Sequence, residues 1–302
     1  MEISDIWVEK YRPTTLNDLV LNDNIITYFS KVSDDKNLPN ILFVGHPGIG
    51  KTTLAKVIVN DILKCQYLYI NASDENGIDT IRTKVLNFAQ TKSLFGDIKV
   101  IILDECDGLS VDAQKALRNS IEEYHDLTRF ILTANYKHKI IPALQSRCQT
   151  INISYAKTDY IQKLISITKK ENVTITKTDF MEIVDTSYPD FRGGINNLQK
   201  YHLSGGNQQT IFDSTSFFTD VTDLLVKKQF MKIRKYIIEN ESLFNNDYDL
   251  LFKKLFDFIY EFSGINEEKK RDWLITVSKY FYQNSICIDQ EINFYSCILE
   301  LD

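Results

Sequence analysis

NILFVGHPGIGKTTLAKVIVNDIL (40–63) is the stretch whose reading decides the fold. It opens on an apolar run, NILFV (40–44), turns through GHPGIGKT (45–52) and continues into the helical pattern TLAKVIVNDIL. A G-x-x-x-x-G-K-T string between a strand and a helix is the form of a phosphate-binding loop. Its glycines let the backbone curl until successive N–H groups point at phosphate oxygens, and the helix behind adds the positive end of its dipole. Gly45, Gly48, Ile49, Gly50, Lys51, Thr52 and Thr53 are the candidate binding residues. Lys51 is the point charge for β- and γ-phosphates, and Thr52 offers a hydroxyl to Mg²⁺. ATP and Mg²⁺ are therefore the expected cofactors. The alternative is an incidental glycine turn, against which the flanking strand and helix count.

Working outward, YLYIN (67–71), KVIIL (99–103), RFILT (129–133) and TINIS (150–154) have the length and composition of buried strands, with room for helices between them. That alternation predicts an α/β fold with a parallel sheet covered by helices on both faces. VIILDECD (100–107) runs from a strand into two adjacent acids. Asp104 is placed to hold the Mg²⁺ shell, and Glu105 to polarise a water for in-line attack on a γ-phosphate. The plainer alternative is a solvated acidic turn. Asn135 ends the strand RFILTAN, where open α/β sheets bind their ligands. It is placed either to orient a water or simply to cap a turn.

From about residue 155 the apolar spacing becomes helical in TDYIQKLISITKKENV (158–173) and KTDFMEIVDTSY (177–188), with Thr158 and Thr178 as expected N-caps. SGGNQQT (204–210) is the best linker, and FTDVTDLLVKKQFMKIRKYIIEN (218–240) and DYDLLFKKLFDFIYEFSG (247–264) are helical and aromatic beyond it. The division is an α/β domain at 1–154, a small helical domain at 155–212 and a C-terminal helical domain at 213–302.

The chain has 302 residues, 43% hydrophobic and 25% charged, enough apolar material for more than one core. Its start, MEISDIWVEKYRP, has no apolar signal region, and no run approaches the ~20 apolar residues of a membrane span. An intracellular, cytoplasmic protein with no membrane partner is expected. Five cysteines without a C-x-x-C pair fit reduced thiols better than a disulfide framework or a zinc site. A net charge of −6 excludes a wholly basic DNA-coating protein, while leaving room for a local basic stripe.

VEKYRP (8–13), NASDENGIDTIR (71–82), DECD (104–107), DAQKALR (112–118), LQSRC (144–148) and PDFR (189–192) follow one another around the loop. In that order they resemble the small subunits of replication factor C and the clamp-loader ATPase subunits of large tailed phages, closest in character to the latter. The resemblance is close over residues 5–195. It implies an AAA+ P-loop domain, a helical lid and a helical collar that holds subunits together. It places Val8, Tyr11, Arg12 and Pro13 against adenine and ribose, and Arg192 as a lid arginine sensing ATP in cis. Arg147 matches the arginine finger, reaching the γ-phosphate bound by a neighbouring subunit. Lys51, Glu105, Asn135 and Arg147 are then the catalytic set.

The implied partners are a ring-shaped sliding clamp, primer–template DNA, further copies of this chain and a divergent companion loader subunit. ATP binding would open the clamp, and DNA-triggered hydrolysis would leave it on DNA. Arg82, Lys84, Lys92, Lys115 and Arg118 lie near presumed helix starts and are candidates for phosphate contacts, though solvated helix faces carry such residues too. Asn76 stands where eukaryotic relatives often carry a basic residue. Gln114 reads either as a polar link from the acidic motif to the DNA-facing helix or, more plainly, as a helix-surface glutamine. The resemblance also makes the helical segment ending near Ser93–Phe95 a candidate clamp contact. Other AAA+ DNA machines (a helicase or an initiator), a non-hydrolysing structural loader subunit and a protein-remodelling ATPase are the rival readings. No helix-turn-helix or basic hairpin supports the first of them.

Overall fold

The structure, a computed structural model, describes residues 6–35, 38–74, 78–91, 98–126, 128–205, 214–241, 244, 246–264 and 266–301. Two compact units divide the chain, Met1–Gly206 and Asn207–Asp302.

In the first unit five strands, β1 (Ile41–Val44), β2 (Tyr67–Asn71), β3 (Lys99–Asp104), β4 (Thr128–Ala134) and β5 (Gln149–Asn152), form one sheet in the order β2-β3-β4-β1-β5. Every pairing is parallel. The strands fall where the apolar runs predict, within a residue or two at each end. Asn40 stays outside β1, where its side-chain oxygen accepts from the Phe130 N–H at 2.9 Å.

Alternate side chains leave the sheet on opposite faces. Leu42, Val44, Ile101, Leu103, Phe130 and Leu132 pack one way, with Val85, Leu117, Ile121 and Leu144 of α4 (Ile78–Gln90), α5 (Val111–Glu123) and α6 (Pro142–Gln145). On the other face Phe43 meets Phe29 of α2 (Asp23–Asp35), with ring centroids 6.0 Å apart. A helix leaves the glycine loop as α3 (Lys51–Val57) and widens into a π-helical turn at Ile58–Ile62. Because β1 lies between β4 and β5, with β3 beyond β4, the loops that leave β1, β3 and β4 converge at one end of the sheet.

Helices α7 (Lys157–Lys170), α8 (Lys177–Ser187) and α9 (Phe191–Leu203) follow. The two expected N-caps are corrected here. The chain enters α7 at Ala156, with φ −72° and ψ 149°, so Thr158 already lies in the first turn. Thr176, not Thr178, caps α8 and accepts from the Asp179 N–H at 3.2 Å. In each case the cap is set by where the backbone turns helical, and a threonine two residues late is inside the helix. The short α1 (Trp7–Lys10) packs on α9, with the Trp7 N–H donating to Gln199 Oε1 at 3.1 Å and the Trp7 ring 5.3 Å from that of His202.

The second unit holds α10 (Ser214–Val226), α11 (Phe230–Glu239), α12 (Tyr248–Glu261), α13 (Glu267–Asn284) and α14 (Gln290–Glu300). Its core is aromatic, with Phe217, Phe218, Phe244, Phe252, Trp273 and Phe294 among its buried members. The helical stretch 218–240 is divided between two helices. α10 ends in a Schellman motif, in which Lys228 N–H donates to Leu225 O at 2.8 Å and Gln229 N–H to Leu224 O at 2.9 Å. Lys228 takes the left-handed conformation, φ 53°, that glycine usually fills. No helix among the described residues is long and apolar enough to cross a membrane, and none of the five cysteines forms a disulfide.

Candidate nucleotide site

The glycine loop wraps its own lysine. Lys51 is buried at the start of α3, and its ammonium donates to Gly45 O at 2.9 Å, His46 O at 2.8 Å and Asn135 Oδ1 at 2.6 Å. Burial pushes its pKa down to about 8, against the pull of Asp104, Asp107 and Glu105. Gly48 has φ +71°, and a Cβ there would lie 1.6 Å from Asp190 Oδ1, so both the turn and the approach of Asp190 require glycine. Asp190 caps α9 by accepting from the Arg192 N–H at 2.8 Å, and the Phe191 N–H donates to Gly48 O at 3.3 Å. The helix that carries Arg192 is thereby seated on the loop.

Asp104 ends β3, almost fully buried, and is surrounded by hydroxyls. Thr52 Oγ1 donates to its two oxygens at 2.7 and 2.8 Å, Tyr69 to Oδ2 at 2.8 Å and Thr133 to Oδ1 at 2.5 Å. Burial first, then the Asp104 hydrogen bond, raises the Tyr69 pKa. A threonine hydroxyl that donates to a carboxylate keeps its lone pairs for a cation, and hydroxyl and carboxylate oxygens are the donors a hard ion prefers. Thr52 and Asp104 thus fit Mg²⁺.

Glu105 is exposed at the cleft in a left-handed conformation, φ 56° and ψ 43°, its N–H donating to Thr133 Oγ1 at 3.0 Å. Asp107 accepts from the Asn135 N–H at 3.2 and 3.3 Å and from the Tyr136 N–H at 3.2 Å, which fixes the turn that carries Asn135.

One cleft gathers Val8, Tyr11, Arg12, Pro13, Gly48, Ile49, Gly50, Lys51, Thr52, Thr53, Asp104, Glu105, Asn135 and Arg192, all of them expected from the sequence. Asp18, Leu19, Val20, Thr133, Lys163, Phe191 and Ile195 also line it. Apart from Phe191, which belongs to the PDFR string, those residues carry no motif; a threonine in a strand or a lysine on an amphipathic helix gives no sequence signal until the fold aims it. Gly45 stands back from the cleft wall. Its carbonyl holds Lys51, and a Cβ on it would come within 2.8 Å of Ile153 O. Tyr11 is tied to the helical region, its hydroxyl donating to Glu171 Oε1 at 2.5 Å beside Lys10, 2.6 Å from the same oxygen. Burial and then Glu171 push the Tyr11 hydroxyl up to about 12.

Arg147 does not line its own chain's cleft. It follows α6 and is held in cis by Glu122 at the end of α5, while its Nη1 donates to Ala143 O at 2.7 Å. Among the DNA candidates, Arg82 belongs to α4 but its side chain lies outside the described residues, as do Lys92, Asn76 and Ser93–Phe95. Lys84 is exposed on α4, and Lys115 pairs with Asp112 at 3.0 Å on α5. Arg118 sits in mid-helix rather than near a helix start and donates to Asn119 Oδ1 at 2.7 Å. Gln114 is not a surface residue. It is 1% exposed, donating to Leu109 O at 3.2 Å and Lys139 O at 3.0 Å and accepting from the Ile141 N–H at 2.8 Å. A helix position facing the core is invisible as such when its residue is polar.

The architecture and the loop, acid and asparagine at the sheet's end define the AAA class of ATP-binding folds. A family model described as "ATPase family associated with various cellular activities (AAA)" matches residues 41–155. Two solved structures of Thermotoga maritima RuvB share the fold. One is a variant with TM-score 0.54 and 16% identity, aligned over 96% of this chain and 91% of that one. The other, titled a Holliday junction branch migration motor, has TM-score 0.51 and 17% identity over 96% and 90%.

Nearer relatives are replication factor C small subunits. That of Archaeoglobus fulgidus is 38% identical over 250 residues, 78% of this chain and 78% of the relative. Those of Methanococcus maripaludis and Saccharolobus solfataricus are 46% identical over 200 residues and 45% over 201, each spanning 64% of this chain. The chain belongs to the replication factor C small-subunit family. It spans 63% of the length of the Methanococcus maripaludis relative.

Proposed function

We propose that the chain is an ATP-hydrolysing subunit of a sliding-clamp loader, acting inside the cell on primer–template DNA. The observation that carries this reading is the convergence of Lys51, Thr52, Asp104, Glu105 and Asn135 in one cleft, with the finger candidate Arg147 outside it. Lys51 meets the β- and γ-phosphates, exchanging Asn135 and loop carbonyls for phosphate oxygens. Thr52 and Asp104 would hold Mg²⁺, whose charge would offset that of the phosphate oxygens. Glu105 takes the proton of the attacking water as the oxygen bonds to the γ-phosphorus and ADP leaves. Asn135 orients that water. Arg192 reports the γ-phosphate to the lid, and the segment Val8–Pro13 covers the base.

Arg147 completes the site of a neighbouring copy. Residues 1–154 act as the ATPase domain, 155–212 as the lid and 213–302 as the collar that joins copies to each other and to a companion subunit. Lys84, Lys115 and Arg118, together with Arg82 and Lys92, track the phosphate backbone of DNA without reading bases.

The test is steady-state ATP hydrolysis by this chain co-expressed with its companion subunit, with clamp, and with or without primer–template DNA. Hydrolysis stimulated only by clamp and primed DNA together, and lost in both Lys51→Ala and Arg147→Ala, is the expected result. Stimulation by branched or single-stranded DNA without clamp would point to a helicase instead. No hydrolysis from an assembled, clamp-bound complex would leave a structural subunit.

A further inference from the structure

Thr133 has no place in the motifs of the sequence, yet one hydroxyl on it touches both acids of the site. The residue lies near the end of β4, fully buried, two positions before Asn135. Its O–H donates to Asp104 Oδ1 at 2.5 Å, and the same oxygen accepts the Glu105 N–H at 3.0 Å. Glu105 is held at φ 56°, a conformation that a non-glycine residue keeps only where its surroundings fix it. Asp104 has other donors, but they serve other ends. Thr52 faces the cation position, and Tyr69 stands half-exposed on the edge strand β2.

We infer that the Thr133 hydroxyl is the positioning group shared by the acidic pair, setting the rotamer of Asp104 for the metal and the backbone of Glu105 for the water. The inference rests on the ATPase reading above and deepens it. Because Asn135 follows directly on β4, a single strand and the residue after it then register the metal ligand, the base and the water-orienting amide against one another.

The test compares Thr133→Val, which keeps the shape and removes the hydroxyl, with Thr133→Ser, which keeps the hydroxyl. Thr133→Ala replaces Val if the latter does not fold. Two readouts are taken on the full chain in its loader assembly. The first, independent of hydrolysis, is binding of a fluorescent ATP analogue in EDTA and along a Mg²⁺ titration. A hydrogen bond to a charged group changes an equilibrium by about tenfold or more. Thr133→Val is therefore expected to bind as the parent does in EDTA but to need about tenfold more Mg²⁺ for half of the metal-dependent tightening.

The second readout is kcat against KM for ATP. The Val variant is expected to lose about tenfold or more in kcat with KM within about twofold, and the Ser variant to stay within about threefold of the parent on both readouts. A Val variant with the parent's Mg²⁺ dependence overturns the inference. So does a Ser variant as impaired as Val, since packing rather than the hydroxyl would then be responsible. If the parent assembly itself does not hydrolyse ATP, the proposed function falls, and the Mg²⁺ titration still decides the role of Thr133.

Discussion

Replacing Gln114 by leucine should destabilise the first unit by about 4 kcal/mol, out of a total of about 5–15 for a typical domain. The side chain makes three hydrogen bonds and is sealed at 1% exposure. Its partner Leu109 O is enclosed, and leaving such a group unsatisfied costs about 1–3 kcal/mol. Lys139 O and the Ile141 N–H lie at part-buried positions where water can replace the amide, so about 0.5–1.5 kcal/mol is lost at each. Leucine fills nearly the same volume, which keeps a cavity out of the figure. Glutamate should be worse still, because it replaces the donating amide with an acceptor facing two carbonyls.

Equilibrium urea unfolding would measure this in a Trp273→Phe background. Trp7, buried in the first unit, is then the sole tryptophan and reports that unit alone. A leucine variant within about 0.5 kcal/mol of the parent, the scale of an ordinary surface substitution, would refute the network's importance. So would a glutamate variant no worse than leucine at neutral pH.

Three further outcomes are expected. With the Lys51 pKa depressed to about 8, the folded chain has lost a proton that the unfolded chain keeps up to the ordinary lysine value of 10.5, so stability should rise between those limits. Phosphate needs the charged form, so nucleotide affinity should fall by up to about tenfold per pH unit above 8, taking up a proton on binding. Isothermal titration in two buffers of different ionisation heat checks the uptake, and Lys51→Met should abolish it. Separately, Lys228→Gly should stabilise the second unit by about 1 kcal/mol, relieving the left-handed lysine at φ 53°. Thermal unfolding followed at Trp273 would show it, and a loss of stability would mean that the lysine side chain matters more than the backbone.

Much of the α/β unit was legible because buried parallel strands are written as continuous apolar runs. KVIIL and RFILT left little choice. Lys51, Thr52, Asp104, Glu105 and Asn135 were legible because the phosphate loop and the strand ends fix their positions locally. What escaped the sequence depends on contacts made across the fold. Thr133 is an ordinary residue and Asp107 only the last letter of DECD until β3 and β4 lie side by side, and Gln114 looks like a surface amide until the turn at Lys139–Ile141 closes over it. The break after α10 lay hidden for a different reason: Lys227, Lys228 and Gln229 include neither glycine nor proline, so nothing local announces the turn. Thr158 and Thr178 misled because a capping threonine and one two residues inside a helix carry the same letter.

The docking of α1 has a mechanical corollary. The segment lining one end of the cleft hangs from α9 through Trp7 and from the end of α7 through Lys10 and Tyr11. The opposite end, at Lys51 and Asp104, is bolted to the sheet. The cleft therefore has one wall carried by helices and one carried by the sheet. A molecule long enough to touch both walls would bridge residues held by α7 and α9 and residues held by the sheet, and so splice two parts of the chain that are far apart in sequence.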